Sequence, residues 1–132
     1  MSLDWYSDVC DFMRKFGQEV KETPGYPDYS TLSLRRELIR EEFLELFDKG
    51  FNKKDMVEVA DGVCDLIVVL LGTLAAYGID PRPIWDEIHR TNMLKEGGGV
   101  RGDGKILKPE GWKSPDIKKI LIDQGAEEDE LV

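Results

Sequence analysis

Residues 54–77, KDMVEVADGVCDLIVVLLGTLAAY, constrain what the rest of the chain can be. The stretch is apolar almost throughout and reads as one long helix. Glu58, Asp61 and Asp65 lie on it at spacings of three and four residues. At about 100° per residue these carboxylates fall in a stripe roughly 60° wide. No Lys or Arg occurs between Lys54 and Arg82. Acids alone in a wall of Val, Leu and Ile are costly to bury unless something positive sits against them. The remainder of the chain is expected to supply that partner.

The run 62–79 is long enough to raise a membrane-spanning reading. Asp65 inside it would cost about 3 kcal/mol at mid-bilayer. Glu58 and Asp61 directly precede it and no basic cluster flanks it. A core helix is expected instead, with no membrane partner. A net charge of −9 argues against a nucleic-acid polymer as partner, because a phosphate backbone would be repelled. The opening MSLDWYSDV has neither a basic nor an apolar leader region. Two cysteines, Cys10 and Cys64, are too few for a disulfide scaffold. Cys64 is expected to be a small buried hydrophobe, and the compartment a reducing cytoplasm.

The 132 residues are expected to form one domain: a helical core over 4–95, an irregular arm over 96–124 and an acidic tail over 125–132. Trp5, Val9, Phe12, Met13, Phe16 and Val20 predict a first helix over 4–22. A second is predicted from Leu34 to Lys49, capped by Ser33 or Thr31 and closed by Gly50. Its main apolar stripe is Ile39, Phe43, Leu46 and Phe47. Asn52 or Asp55 would cap the third, and Gly78-Ile79-Asp80-Pro81 would end it. A fourth helix fits 83–95, with Ile84, Ile88 and Trp85 inward, and a short one fits 115–124. The Gly-rich stretch between them reads as loop, with a hairpin turn at Asp103-Gly104. The fold class is all-α, four-helix-bundle-like, with an irregular Gly-rich C-terminal arm.

Two acidic clusters carry the chemistry. One is Glu41-Glu42-x-x-Glu45; the other is Glu58-x-x-Asp61 with Asp65 one turn on. A short connector should pack their helices antiparallel, so that the two walls of carboxylates face each other. All-oxygen ligation suits a hard cation, Mg²⁺ or Mn²⁺, which could bind a polyphosphate and activate water. The bland alternative for the second helix is a solvated face on which Arg35, Arg36 and Arg40 pair with its glutamates. A di-iron bundle would need two Glu-x-x-His elements, and the chain has one histidine, His89, with no such glutamate.

Glu42-x-x-Glu45 followed by Glu58-x-x-Asp61 resembles the signature of the MazG-like all-α nucleoside triphosphate pyrophosphohydrolases. LRRELIREEFLEL and EVADGVCDLIVVLLGTLAAYGID look like that family's two motif helices. His89-Arg90-x-Asn92-Met93-x-Lys95, Asp103-Gly104-Lys105-x-x-Lys108-Pro109 and Ser114-Pro115-Asp116 resemble its phosphoribosyl-ATP pyrophosphohydrolase-like subgroup, over roughly residues 9–117. Leu94 departs from the small hydroxyl residue expected there. The resemblance implies Mg²⁺-dependent cleavage between the α and β phosphates of a small-molecule nucleotide. It also implies a homodimer or dimer of dimers. Glu42, Glu45, Glu58 and Asp61 would hold metal; Glu41 would bind a further ion or orient water. Catalysis would rest on Glu41, Glu45 and Asp61, with Asp65 supporting the ligands. Asn92 and Lys95 would touch the nucleotide.

The arm's charge agrees with an anionic ligand. From His89 to Lys119 there are eight Lys or Arg against four Asp or Glu. Lys95, Arg101, Lys105 and Lys108 could meet phosphates. Arg101-Gly102-Asp103 reads as a turn, and Trp112 as an anchor for the arm. The rival reading from another class is a non-catalytic helical protein whose acids bind a structural ion or a basic partner.

Overall fold

The structure, a computed structural model, describes residues 4–131. Met1–Leu3, part of the leader reading, and Val132 lie outside the described residues. The all-α expectation holds. The helices are α1 (Trp5–Lys15), α2 (Tyr29–Glu45), α3 (Met56–Ala76), α4 (Pro81–Met93) and α5 (Ile117–Asp123). A π-helical turn, Leu46–Phe51, extends α2, and a 3₁₀ turn covers Glu128–Glu130 within the acidic tail. No strand occurs among the described residues; Val100 and Ile106 form one isolated antiparallel bridge. By its internal contacts the chain divides after Asp80 into two compact units, each described by itself.

In the N-terminal unit α1 stops well short of residue 22. Gly17 takes φ +76°. Its N–H bonds Arg14 O at 3.2 Å and Gln18 N–H bonds Met13 O at 2.8 Å, which closes the helix. Val20 therefore packs on the core from the connector rather than from the helix. The core joins Val9, Cys10 and Met13 of α1 to Ala75 and Ala76 of α3. Trp5, Phe12 and Phe16 are exposed instead. Cys64 is also exposed, contrary to expectation, on the side of α3 that shares a cavity with Trp5 and Asp8.

Helix α2 begins five residues before the expected Leu34, because Asp28 caps it. The Asp28 carboxylate accepts from Thr31 N–H at 2.8 Å. That bond holds the Asp28 carboxyl below its usual value. Asp55, one of the two expected caps, starts α3 by accepting from Val57 and Glu58 N–H.

The α2–α3 seam is unusually close because glycines line it. A Cβ built on Gly62 would stand 3.2 Å from Leu46 Cδ1 and 3.3 Å from its Cα. One on Gly50 would stand 3.0 Å from Val59 Cγ2. Gly50 thus serves close approach and lies inside the π turn; it does not close the helix. Only Leu46 of the expected α2 stripe is buried. Phe43, Phe47 and Phe51 form an exposed ladder, with ring centroids 4.8 and 5.3 Å apart.

Helix α3 is long and apolar enough to cross a membrane by length and composition. It packs here against α1 and α2, with Val57, Val63, Val68 and Leu70 left exposed. Gly78 ends it at φ +71°, with Ile79 N–H on Leu74 O at 2.9 Å. A Cβ on Gly78 would strike Thr23 O. Gly78→Ala therefore combines a left-handed backbone with a clash, and should cost about 2 kcal/mol or more in a chemical melt. A cost within a few tenths would contradict this packing.

In the C-terminal unit α4 starts at Pro81, two residues earlier than expected, because prolines fit a first turn. Trp85 is 72 % exposed and does not face inward. Residues 94–116 contain no helix. Asp116 caps α5 by accepting from Lys119 N–H at 3.2 Å. Glu87 ties this unit together: it accepts from Arg90 Nε at 2.7 Å and from Asp116 N–H at 2.8 Å. Those bonds hold the Glu87 carboxyl down at about 2.

Candidate functional site

The acids converge where the two motif helices run antiparallel. The seam pairs Leu46 with Gly62 and Gly50 with Val59. Helix geometry then sets Glu42, one turn before Leu46, across from Asp65, one turn after Gly62. The electrostatics agree. Burial first, then the charges of Asp65, Glu45, Asp61 and Glu41, push the Glu42 carboxyl up. Burial, Asp61 and Glu45 do the same to Asp65, whose carboxyl also hydrogen-bonds Asp61. Glu41, Glu42, Glu45, Asp61 and Asp65 are thus brought together. Glu58 lies one turn before Asp61, half-buried, and is not among the charges acting on Glu42 or Asp65.

Glu42 Oε2 is buried and has no hydrogen-bond partner. A buried carboxylate oxygen left unpaired among four other acids is costly. A hard cation would satisfy it, and the donor set of carboxylate oxygens fits Mg²⁺ or Mn²⁺. Among the described residues, no three His, Cys, Asp or Glu side chains already stand at ligating positions.

The repulsion among these acids predicts a pH dependence. The usual values are 4.5 for Glu42 and 3.8 for Asp65, and both are raised in the fold. The folded protein therefore binds protons that the unfolded chain has released. That stabilisation is complete below the usual values and is lost as pH rises through the raised ones. Thermal melts without metal should give a higher Tm near about pH 5 than near about pH 7.5, and Mg²⁺ should shrink the difference. A Tm that rises steadily over this range would contradict the arrangement.

Arg35 is the residue that sequence reasoning missed. Its neighbour Arg40 does pair on the surface, with Glu37 at 3.8 Å. Arg35 instead is buried against α3, where Nη2 donates to Val69 O at 2.9 Å and Nε to Thr73 Oγ1 at 3.2 Å. The available signal was its place two turns before Glu42, opposite a glycine in the third helix.

In the C-terminal unit Asn92 is exposed on the last turn of α4. Lys95 and Lys108 share one ring: their Nζ atoms lie 5.3 and 4.9 Å from the Trp112 centroid. Trp112 Nε1 donates to Thr91 O at 2.7 Å, the expected anchor. Arg101 is held by Asp103, with Nη2 2.6 Å from Oδ2, and Gly104 N–H closes the expected turn on Arg101 O at 2.8 Å. Lys105 lies on that turn, its N–H on Asp103 Oδ1 at 3.3 Å. The structure thus joins Lys95 to Lys108 and places Arg101 and Lys105 on a separate turn.

No curated protein matches the chain. A family model described as phosphoribosyl-ATP pyrophosphohydrolase matches residues 9–92, which takes in both acidic helices and Asn92. The chain belongs to the phosphoribosyl-ATP pyrophosphohydrolase family, whose activity is pyrophosphohydrolysis of a nucleotide.

Proposed function

We propose that the chain is a Mg²⁺- or Mn²⁺-dependent nucleotide pyrophosphohydrolase that cleaves the α–β phosphoanhydride of a nucleoside triphosphate or related nucleotide. The observation that carries this reading is the buried, unpartnered Oε2 of Glu42 amid four further carboxylates. Glu42, Glu45, Glu58 and Asp61 would hold the cation, and Asp65 would fix Asp61 through their shared hydrogen bond. When bound, the ion supplies charge for the phosphates and a more acidic water. Glu41, exposed at the rim of the cluster, would be the carboxylate placed to orient an attacking water and take up its proton. In the C-terminal unit Asn92, Lys95 and Lys108 offer polar and cationic groups that suit an anionic ligand. Arg101 is given a lesser part, because Asp103 already neutralises it.

We also assign the exposed Phe43–Phe47–Phe51 ladder to contact with a second copy of the chain. Three stacked rings left open to water are an apolar surface of the kind that marks an interface. The expected result is a dimer or larger species by light scattering, with Phe47→Glu shifting it toward monomer. A wild-type monomer at micromolar concentration would remove this part of the proposal. The activity itself is tested by pyrophosphate release from a nucleotide panel, with and without Mg²⁺.

A further inference from the structure

We propose that Arg35 is a positioning residue for the carboxylate site: its guanidinium locks α2 and α3 in the register that sets Glu42 across from Asp65. The inference rests on the proposed metal site and concerns a residue outside it.

Arg35 is 5 % exposed. No carboxylate among the described residues pairs with it; its guanidinium donates to neutral groups of α3, Val69 O and Thr73 Oγ1. The Thr73 hydroxyl in turn donates to Val69 O at 2.8 Å, so three groups close one small network. Gly72 makes room for it. A Cβ on Gly72 would run into Arg35 Nη2 and stand 3.1 Å from Cζ.

Burying a guanidinium without an anion is expensive, and the burial lowers the affinity of Arg35 for its proton. A methionine or leucine would fill the same space at less cost. What an apolar side chain lacks is direction. Two hydrogen bonds, to one carbonyl and one hydroxyl, fix both the sliding and the rotation of α3 against α2. A slip of one residue would swing Val69 O by about 100° and break them.

That register is also the register of the acids. Arg35 and Glu42 lie seven residues apart on α2; Gly72 and Asp65 lie seven apart on α3. Seven residues are close to two turns, so each pair shares one face of its helix. The helices run antiparallel, so Arg35–Gly72 and Glu42–Asp65 are two rungs of one seam, about 10 Å apart. Leu46–Gly62 is the next rung beyond the acids. The carboxylates are therefore clamped between two close contacts, one apolar and one directional. Mutually repelling acids need such a clamp, since their own interaction drives the walls apart.

The experiment measures Mn²⁺ affinity and Tm of the full chain for wild type, Arg35→Met, Arg35→Lys and Met13→Ala. Met13 belongs to the α1 core and serves as a destabilised control. The expected result is Mn²⁺ affinity at least tenfold weaker in both Arg35 variants, and unchanged in Met13→Ala at equal or greater loss of Tm. The two Arg35 variants separate geometry from charge. If Arg35 acted by charge alone, Arg35→Lys would match wild type and Arg35→Met would bind the cation more tightly. That result, or wild-type affinity in both variants, overturns the proposal. Should Arg35→Met fail to fold, Arg35→Lys decides, because it keeps the charge and loses the paired bonds. A wild-type chain that binds no Mn²⁺ would instead defeat the metal-site reading itself, and this inference with it.

Discussion

Glu42→Gln should cut pyrophosphate release by about 100-fold or more while raising the Tm of the metal-free protein. The two effects have one cause. Glu42 carries a buried oxygen without a partner, and the charges of Asp65, Glu45, Asp61 and Glu41 act against its ionised form. The amide removes that charge and presents an N–H₂ to neighbouring carboxylates that can accept from it. Folding is relieved of a repulsion; a cation loses a ligand. An ordinary structural residue would not show this inverse relation, because its removal lowers activity and stability together. Melts without metal and steady-state assays with saturating Mg²⁺ check it. Reduced Tm with retained activity would mean that Glu42 is a packing residue.

Trp112→Ala should take about 2–3 kcal/mol from the C-terminal unit and raise the KM for nucleotide several-fold, with kcat less affected. The indole N–H is bonded to Thr91 O at 2.7 Å, and the Thr91 side chain is almost fully buried. The ring also holds Lys95 and Lys108 on one platform, with Nζ atoms 5.3 and 4.9 Å from its centroid. Without it, two flexible cations lose their fixed positions, and ordering them on a phosphate costs entropy again. Trp112→Phe keeps an aromatic face but loses the hydrogen bond and part of the indole surface, so it should fall between. Hydrogen exchange at the end of α4 reads the stability, and initial rates read KM. Unchanged protection in Trp112→Ala would show that the anchor carries no weight.

The spacing of acids was enough to read the two walls of carboxylates. Charges at three- and four-residue intervals in an apolar run allow few arrangements, and a short connector allows few packings. Asp55 was legible as a cap for the same local reason. The ends of α1 and α2 were not read, although Gly17 and Asp28 are ordinary stop and start signals. Apolar spacing carried past the glycine to Val20, and hydroxyl residues competed with the aspartate. Apolar periodicity also misassigned the faces of α2. Phe43 and Phe47 match the helical repeat, but the seam is chosen by Gly50, Gly62 and Gly72, which admit close approach. Periodicity reports which residues share a face, not which face is covered. Arg35 shows the limit most clearly. An arginine beside glutamates reads as a surface pair, and its burial depends on a glycine 37 positions away.

The most direct test is product release from a panel of nucleoside triphosphates by wild-type chain and Asp61→Asn, with and without Mg²⁺. The account predicts pyrophosphate and a nucleoside monophosphate in equal amounts, only with the metal, and essentially none from Asp61→Asn at unchanged fold. Metal binding without pyrophosphate from any nucleotide would contradict it. The acids would then hold a structural ion or a basic partner in a chain that does no chemistry.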